Sequence, residues 1–532
     1  MSAVGPPPAA FAPLTGSERV LGTIALASAT FMNVLDSSIA NVSISAIAGD
    51  LGVSPSQGTW VITSFTVANA ISVPLTGWLT QRFGQVRLFV ASVLLFVLTS
   101  WLCGFAPNLE TLIAFRVIQG LVAGPMIPLS QTLLLASYPR EMAGVALSLW
   151  SMTTMVAPVV GPLLGGWITD NLSWPWIFYI NVPVGLLAAM MTWSVYHKRD
   201  VGPRRVRLDV VGLALVIIWV GAFQMTIDLG KEHDWFGSTL IIVLATISAI
   251  GFVLFLVWEL NDPAPIVNLK LFGRRNFLAG SLALSLSYGL FFGNLVLMPL
   301  WLQQWMGYTA TWAGLALAPV GVFALTLSPL VGRMIGRIDS RLLASIAFLL
   351  YALVCWLRSD FTVQTPFEVV LLPTLVQGIA VAFFFVPLQA IIYNGLLPHE
   401  MPAAAGLSNF ARISSGAFVT SIFGTVWEDR AIMHHANLSE SIHRGNTAFE
   451  QTRVDLAAQG LNSDQINAFI NRMVDTQAYT LAADDLFYIS SILYVLLIVI
   501  IWFASPRTMV HRAQAPTPAR PAGGSDPADA KV

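Results

Sequence analysis

Long apolar runs, repeated along the whole chain, constrain this sequence more than any other feature. Each run has about twenty residues, and at about 1.5 Å per residue a helix of that length crosses a hydrocarbon core of roughly 30 Å. Only 10% of the 532 residues are charged, whereas soluble domains carry roughly 25%. The sequence therefore predicts an all-α membrane protein. Its fourteen predicted transmembrane helices cover residues 20–40, 59–80, 87–105, 109–134, 143–166, 175–196, 209–228, 238–259, 277–303, 312–333, 341–357, 368–394, 402–427 and 486–504.

The positions of Lys and Arg indicate how these spans are oriented. With the N-terminus placed in the cytoplasm, most of the 27 basic residues fall in cytoplasmic loops and tails, as membrane proteins prefer. The loop from Arg199 to Arg207 is then cytoplasmic, and residues 428–485 form a periplasmic loop. The two ends, 1–19 and 505–532, are rich in Pro and Ala and are predicted to be disordered cytoplasmic tails.

An internal repeat divides the chain into two similar parts. The segment Pro74–Arg82 (PLTGWLTQR) matches Pro329–Arg337 (PLVGRMIGR), and Gln119–Gly120 recurs as Gln377–Gly378. These matches pair span 2 with span 10 and span 4 with span 12, so the two copies point the same way. Parallel repeats around a central site are a transporter design. The predicted domains are a six-helix bundle at 20–196, a two-helix insert with its linkers at 197–260, and a second six-helix bundle at 261–504.

Four motifs carry a resemblance to a known family. They are Leu35–Val42 (LDSSIANV), Arg116–Gly120 (RVIQG), Ala157–Gly166 (APVVGPLLGG) and Trp176–Pro183 (WIFYINVP). The chain resembles the fourteen-span drug:proton antiporters of the major facilitator superfamily, in which the third motif is associated with antiport. The family's loop motif between spans 2 and 3 departs here, because Gln81 replaces its acidic residue.

The resemblance implies a function, a location and partners. It implies proton-coupled export of small amphipathic drugs across a bacterial inner membrane by alternating access, with both termini in the cytoplasm. It also implies a periplasmic adaptor of the membrane-fusion (EmrA-like) type and a TolC-like outer-membrane channel, forming a tripartite efflux system linked to antibiotic resistance. A proton-coupled uptake symporter and a channel are the alternatives. The bilayer is the solvent, and no nucleic-acid partner or cofactor is expected.

The sequence also argues against an enzyme or an ATP-driven pump. All seven His residues fall in loops, tails or span edges, so no intramembrane metal site is predicted. The chain has no GxxxxGKS-type phosphate loop, and its predicted cytoplasmic loops are too short for an ATP-hydrolysing domain.

Two charged residues lie deep in predicted spans and are the candidates for proton coupling. Asp36 is about sixteen residues into span 1, and Arg116 is about seven residues into span 4. Such charges are costly in a bilayer and normally face a cavity or a partner. Burial favours a protonated carboxyl group, and a nearby guanidinium favours the carboxylate, so a changing environment can load and release a proton. The alternative is a permanent structural salt bridge.

Other residues are candidates for substrate contact or for gating. Aromatic and amide side chains expected near the centre of the bundles are the substrate candidates, with ordinary packing as the alternative: Asn33, Gln119, Gln131, Tyr288, Asn294, Phe384 and Gln389. The structural and gating candidates combine the small-residue face of span 5 with polar residues near span ends or deep in span 13: Ala157, Pro158, Gly161, Pro162, Gly165, Gly166, Arg82, Asn409 and Arg412.

The predicted outer loop contains one amphipathic stripe. Apolar residues recur at helical spacing after Asn462 or Ser463, which are good helix-starting residues. We expect this helix to dock a partner, with packing on the transporter's own outer surface as the alternative. The docking candidates are Ile466, Phe469, Ile470 and Met473.

Overall fold

The computed structural model describes residues 12–506 except for 201, 203–206, 231–232, 264, 336, 441 and 443–445. The first of the predicted tails is shorter than expected, because helix α1 already begins at Gly16. Residues 1–11 and 507–532 of the two tails lie outside the described part. The helices up to the insert are α1 Gly16–Val42, α2 Ile44–Asp50, α3 Pro55–Gly58, α4 Trp60–Ser72, α5 Thr76–Phe83, α6 Gln85–Gly104, α7 Leu109–Ala123, α8 Met126–Ser137, α9 Ala143–Asn171, α10 Trp176–Tyr179 and α11 Asn181–Tyr196.

The insert and the second repeat are helical as well. The insert comprises the first two helices of this group, and the remainder follow the order of the first repeat. These helices are α12 Val210–Gly230, α13 Thr239–Asn261, α14 Arg275–Gln304, α15 Ala310–Met334, α16 Ser340–Arg358, α17 Phe367–Ile392, α18 Met401–Glu440, α19 Thr447–Ala458 and α20 Ser463–Trp502.

All fourteen predicted spans fall on helices. Within the described residues, twelve helical stretches are long and apolar enough to cross a membrane. The other two predicted spans coincide with α9 and α18, which have 29 and 40 residues. Three spans are interrupted rather than straight. Spans 2 and 4 break at Pro74 and Pro125, where proline cannot donate the backbone hydrogen bond of a regular helix, and span 6 is divided between α10 and α11.

The segment predicted as a periplasmic loop, 428–485, is mostly helix. Helix α18 continues to Glu440 and α20 begins at Ser463, so each is roughly 60 Å long at about 1.5 Å per residue, about twice the hydrocarbon thickness. The sequence predicts one helix in this segment, starting at Asn462 or Ser463, and α20 starts there. Hydropathy does not show that α18 and α20 continue past their apolar stretches as unbroken helices. Two His–Asp contacts join the extensions, since His434 Nε2 lies 2.8 Å from Asp485 Oδ2 and His435 Nδ1 lies 2.8 Å from Asp475 Oδ1.

The two repeats meet closely where spans 5 and 10 cross near their predicted cytoplasmic ends. A Cβ atom on Gly144 would lie 2.1 Å from the carbonyl oxygen of Gly332, so the two backbones are in direct contact. Spans 2 and 13 are equally close there, because a Cβ on Gly77 would lie 2.7 Å from that of Ala403. The small residues therefore let the halves close tightly on one side of the molecule.

Candidate functional site

A buried ion pair lies in the first repeat, between spans 1 and 4. Asp36 is on α1 and Arg116 is on α7, and both side chains are fully buried. Arg116 Nη1 donates to Asp36 Oδ2 over 2.6 Å, and Arg116 Nε donates to the carbonyl oxygen of Val61 over 3.0 Å. The guanidinium also lies 4.2 Å from the centre of the Phe65 ring. The two residues predicted to act in proton coupling are therefore direct partners.

A second layer of polar side chains holds both members of this pair. Gln119 Oε1 accepts from Arg116 Nη1 over 2.7 Å, and Gln119 Nε2 donates to Asp36 Oδ1 over 3.3 Å. Asn181 Nδ2 also donates to Asp36 Oδ1, over 2.8 Å. Ser100 Oγ accepts from Gln119 at 2.6 Å and from Asn181 at 3.1 Å. Side chains of spans 4 and 6 thus bond the Asp36 carboxyl group of span 1 directly, and a side chain of span 3 holds two of them in place.

The network includes residues that the sequence analysis treated differently. Gln119, predicted to contact substrate, belongs to the hydrogen-bond network around Asp36. Ser100 and Asn181 were missed by the sequence reading. Asn181 lies in the WIFYINVP motif, so its position could have been found from the motif, whereas Ser100 is one of many serines in apolar helices. Cys103, expected only to pack, also lies beside the network with its Sγ 3.8 Å from Gln119 Oε1.

The glycine-rich motif of span 5 packs against span 1 close to Asp36. A Cβ on Gly161 would lie 2.0 Å from Ser38 Oγ, and the Ser38 hydroxyl donates to the carbonyl oxygen of Ala157 over 3.4 Å. Ala157 and Gly165 are buried and Pro158 is half-buried, whereas a Cβ on Gly166 would meet nothing within 4 Å. The side chain of Pro162 lies outside the described part. Close helix packing through this motif is confirmed at Gly161.

A polar contact joins the two repeats. Gln131 on α8 belongs to the first repeat, and its Oε1 accepts from Tyr393 Oη over 2.9 Å and from Asn409 Nδ2 over 3.0 Å, both in the second repeat. All three residues are buried. Gln131 was predicted to contact substrate and Asn409 to be structural or gating, and the structure places both at the junction between the halves.

Arg412, one turn after Asn409 on α18, is buried at the same junction. Its Nε and Nη2 donate to Asn409 Oδ1 over 3.3 and 3.0 Å. The guanidinium lies 4.6 Å from the centre of the Tyr288 ring and 5.4 Å from that of Phe385. Among the described residues, no carboxylate forms an ion pair with it.

The remaining substrate candidates differ in how firmly they are held. Asn33 donates to the carbonyl oxygen of Ala123 over 3.0 Å, and Asn294 donates to that of Leu290 over 2.7 Å. Phe384 is fully buried among other aromatic rings. Gln389 is also fully buried, and neither atom of its amide has a hydrogen-bond partner among the described residues.

A further buried arginine in the second repeat was missed. Arg358, which the sequence places in an outer loop, is the last residue of α16 and is only 1% exposed. Its Nη2 donates to Gln377 Oε1 over 2.7 Å and to Thr374 Oγ1 over 3.1 Å. A basic residue at a span end is usually solvated, so only the three-dimensional structure reveals its burial.

A carboxylate from a different part of the chain contacts the start of span 3, next to the loop between spans 2 and 3. Arg82 is exposed at the end of α5, and Gln81 supplies no charge. Asp200, after span 6, pairs with Arg87 Nε at 3.2 Å and accepts from the backbone N–H of Val86 over 3.1 Å. Asp200 therefore supplies a carboxylate at the start of α6, next to Arg87.

The predicted docking helix exists, but one of its residues faces inward. Asn462 caps the start of α20 and forms a reciprocal pair of hydrogen bonds with Gln465. Ile466 is buried within the chain, which corrects its assignment to the docking stripe. The side chains that remain available are Phe469 and Met473, which are 47% and 53% exposed, and the half-buried Ile470.

Two helical repeats, a tight crossing between them and buried charges inside spans define a membrane transporter architecture. The family comparison identifies the same class. The model of the Major Facilitator Superfamily matches residues 26–420. The chain belongs to this superfamily, so it is a multi-pass membrane transporter and not an enzyme.

Close relatives and a solved structure agree with this membership. The chain is 48% identical to the multidrug export protein EmrB of Haemophilus influenzae over 497 residues, which cover 93% of this chain and 98% of that protein. It is 46% identical to the fatty acid resistance protein FarB of Neisseria gonorrhoeae, covering 93% and 98%. The structure of the proton:xylose symporter XylE matches with a TM-score of 0.58 at 15% identity, covering 92% of this chain and 96% of that one, which shows a shared fold.

Proposed function

We propose that this chain is a proton-coupled multidrug exporter of the bacterial inner membrane, with both termini in the cytoplasm. The names of its relatives support export: the similar proteins from Haemophilus and Neisseria are a multidrug exporter and a fatty acid resistance protein. The observation that carries the proton-coupled part is the fully buried Asp36 and Arg116 pair, held by side chains from several spans.

Asp36 is the group that takes up and releases the proton. A carrier must change its protonation state during the cycle, and Arg116 keeps its charge. Protonation of Asp36 neutralises its carboxylate, so Arg116 loses its counter-charge and the packing of α1 against α7 changes. Because Ser38, two residues after Asp36, touches Gly161, the same change reaches the contact between α1 and α9. A titration at one carboxyl group thereby alters how the spans of the first half pack.

The available driving force is sufficient for this cycle. A membrane potential of 100 mV contributes about 2.3 kcal/mol per charge, and one pH unit contributes about 1.4 kcal/mol. Together they allow several-hundred-fold concentration of a neutral compound for each proton exchanged.

The test is transport in inside-out vesicles energised by a pH gradient. Wild-type protein accumulates a fluorescent amphipathic compound inside the vesicles, whereas an uptake symporter would not. The Asp36→Asn variant keeps the size and hydrogen bonding of the side chain but cannot titrate, so accumulation is lost while binding persists. Asp36→Glu retains part of the activity. The control is Asp234→Asn, which removes an exposed carboxylate in the connection between the two helices of the insert. Accumulation by Asp36→Asn at the wild-type rate would refute the assignment.

We further propose that the extensions of α18 and α20 face the periplasm and dock an EmrA-like adaptor, which connects the transporter to a TolC-like outer-membrane channel. Phe469 and Met473 lie one turn apart on α20, and both are about half exposed. Large apolar side chains on a helix that projects beyond the membrane suit a protein interface. The His–Asp contacts at His434 and His435 hold the two extensions together as one projecting unit.

The docking proposal is tested with a charge placed on the exposed stripe. A variant with Phe469→Asp and Met473→Asp should capture less of the adaptor in a pull-down while retaining transport into inside-out vesicles. Asn467→Asp, on the same exposed helix but outside the stripe, is the matched control. Equal capture by the double variant and the control would exclude this surface. A cysteine at Phe469 also tests the orientation, since an impermeant reagent should label it in spheroplasts.

A further inference from the structure

The junction between the two halves contains a positive charge that no carboxylate of the described residues neutralises. Arg412 is 3% exposed and lies at the junction between the two halves. Its partners among the described residues are neutral, namely the Asn409 amide and the side chains of Tyr288 and Phe385. No Asp or Glu in the described part of the chain forms an ion pair with it. This arrangement differs from that of Arg116, which has the Asp36 carboxylate at 2.6 Å.

A buried cation without a counter-charge is unfavourable, and the guanidinium stays charged at any physiological pH. Opening of the junction between the two halves would let an anion from outside the chain supply the negative charge that Arg412 lacks. The planar guanidinium suits carboxylate and sulfonate groups, because its N–H groups match their oxygens in pairs. In the closed arrangement, Asn409 Oδ1 accepts from two of these N–H groups and is the neutral substitute for such an acid.

The surroundings of Arg412 indicate what kind of anion fits. Tyr288 and Phe385 present aromatic surface on the side of the guanidinium. An apolar body next to the rings, with one acidic group at the guanidinium, satisfies these side chains together. That description is an amphipathic weak acid in its ionised form.

We propose that Arg412 binds the acidic group of amphipathic anions and so selects such compounds over neutral ones of the same shape. This selection rests on the proposed export function, because Arg412 lies where the two halves must separate for transport. Arg358 has the same charge and similar burial but a different position. It is bonded to Gln377 and Thr374 inside the second repeat and away from the Gln131 junction, so it does not select substrates.

The test uses two fluorescent probes that differ by one acidic group. The anionic probe 1-anilinonaphthalene-8-sulfonate and the neutral N-phenyl-1-naphthylamine share an aromatic skeleton. Each is titrated onto the purified full-length protein in lipid nanodiscs, with the signal of empty nanodiscs subtracted. The Arg412→Gln variant should bind the anionic probe at least about tenfold more weakly and the neutral probe about as well as wild type. Arg412→Lys keeps the charge and should retain most of the preference.

Two outcomes overturn the proposal. One is an unchanged ratio of the two affinities in Arg412→Gln, and the other is an equal loss of anion preference in the control Arg358→Gln. Because the assay measures binding without a proton gradient, it separates this proposal from the export function. Loss of proton-driven transport with an intact anion preference would count against the function alone. Folding of each variant is confirmed by its binding of the neutral probe.

Discussion

The two repeats of this transporter bury their arginines in different ways. The first repeat pairs Arg116 with Asp36 inside a closed hydrogen-bond network. In the second repeat, Arg358 and Arg412 have neutral partners, and no described carboxylate pairs with either. The two repeats share the order of their helices and differ in their electrostatics. In our proposals, the first half binds a proton at its buried carboxyl group, and the second half binds an anion at its unpaired guanidinium.

The matching glutamines show where the two halves diverged. Gln119 and Gln377 occupy equivalent places in the repeat, and each accepts a hydrogen bond from a buried arginine. Three residues before Gln119 stands Arg116, but three residues before Gln377 stands Thr374. The second repeat instead supplies Arg358 from the neighbouring span. Both halves thus have a glutamine that accepts from a guanidinium, but the arginine comes from a different span in each half. Only the arginine of the first half has a carboxylate partner among the described residues.

The largest expected effect comes from breaking the ion pair of the first half. Arg116→Leu leaves the Asp36 carboxylate buried without a counter-charge and should destabilise the protein by about 3–5 kcal/mol. We expect a clear loss of thermal stability in purified protein. The double variant Arg116→Leu with Asp36→Asn removes the unpaired charge and should recover part of the loss. An Arg116→Leu protein as stable as wild type would show that the pair is not the main electrostatic contact of this half.

The equivalent change in the second half should cost less. Arg358→Leu removes a cation that has no carboxylate partner, so only Thr374 and Gln377 lose a hydrogen bond, and the expected loss is about 1–3 kcal/mol. The same thermal unfolding measurement applies to both variants. A loss at Arg358 equal to that at Arg116 would remove the distinction between the halves.

A packing change beside Asp36 tests whether the contact of spans 1 and 5 depends on small residues. Gly161→Ala places a methyl group against Ser38 Oγ, where a Cβ would lie only 2.0 Å away, and should destabilise by about 1–3 kcal/mol. In transport assays we expect reduced coupling as well, since this contact is next to the proton site. Gly166→Ala is the control, because its Cβ would meet nothing within 4 Å. Equal behaviour of the two variants would contradict the role of Gly161.

The smallest expected effect is at the edge of the proton network. Ser100→Ala removes the hydroxyl that accepts from Gln119 and Asn181, while both amides still donate to Asp36. We expect a loss of about 1 kcal/mol in stability and a measurable decrease in transport, without loss of coupling. A transport rate indistinguishable from wild type would place Ser100 outside the functional network.

Hydropathy predicted where the long apolar helices lie, because the bilayer imposes a length and composition on every span. It does not show where a helix ends, because nothing in apolar content distinguishes a loop from the polar continuation of α18 or α20. Among site residues, Asp36 and Arg116 were found because deep charges are rare. Ser100 and Arg358 were not, since a serine in an apolar helix and an arginine at a span end have ordinary structural explanations. The side-chain contacts between the two halves, such as the one between Gln131 and Asn409, depend on the tertiary fold and could not be predicted from the sequence.

The division between a proton site in the first half and an anion site in the second is tested most directly by measuring protons during binding. Wild-type protein in weakly buffered nanodiscs is mixed with neutral N-phenyl-1-naphthylamine, and a pH-sensitive dye reports proton release. Our account predicts release from wild type and from Arg412→Gln, and none from Asp36→Asn although that variant still binds the probe. Proton release from Asp36→Asn equal to that of wild type would contradict the account, because the exchanged proton would then reside on another group.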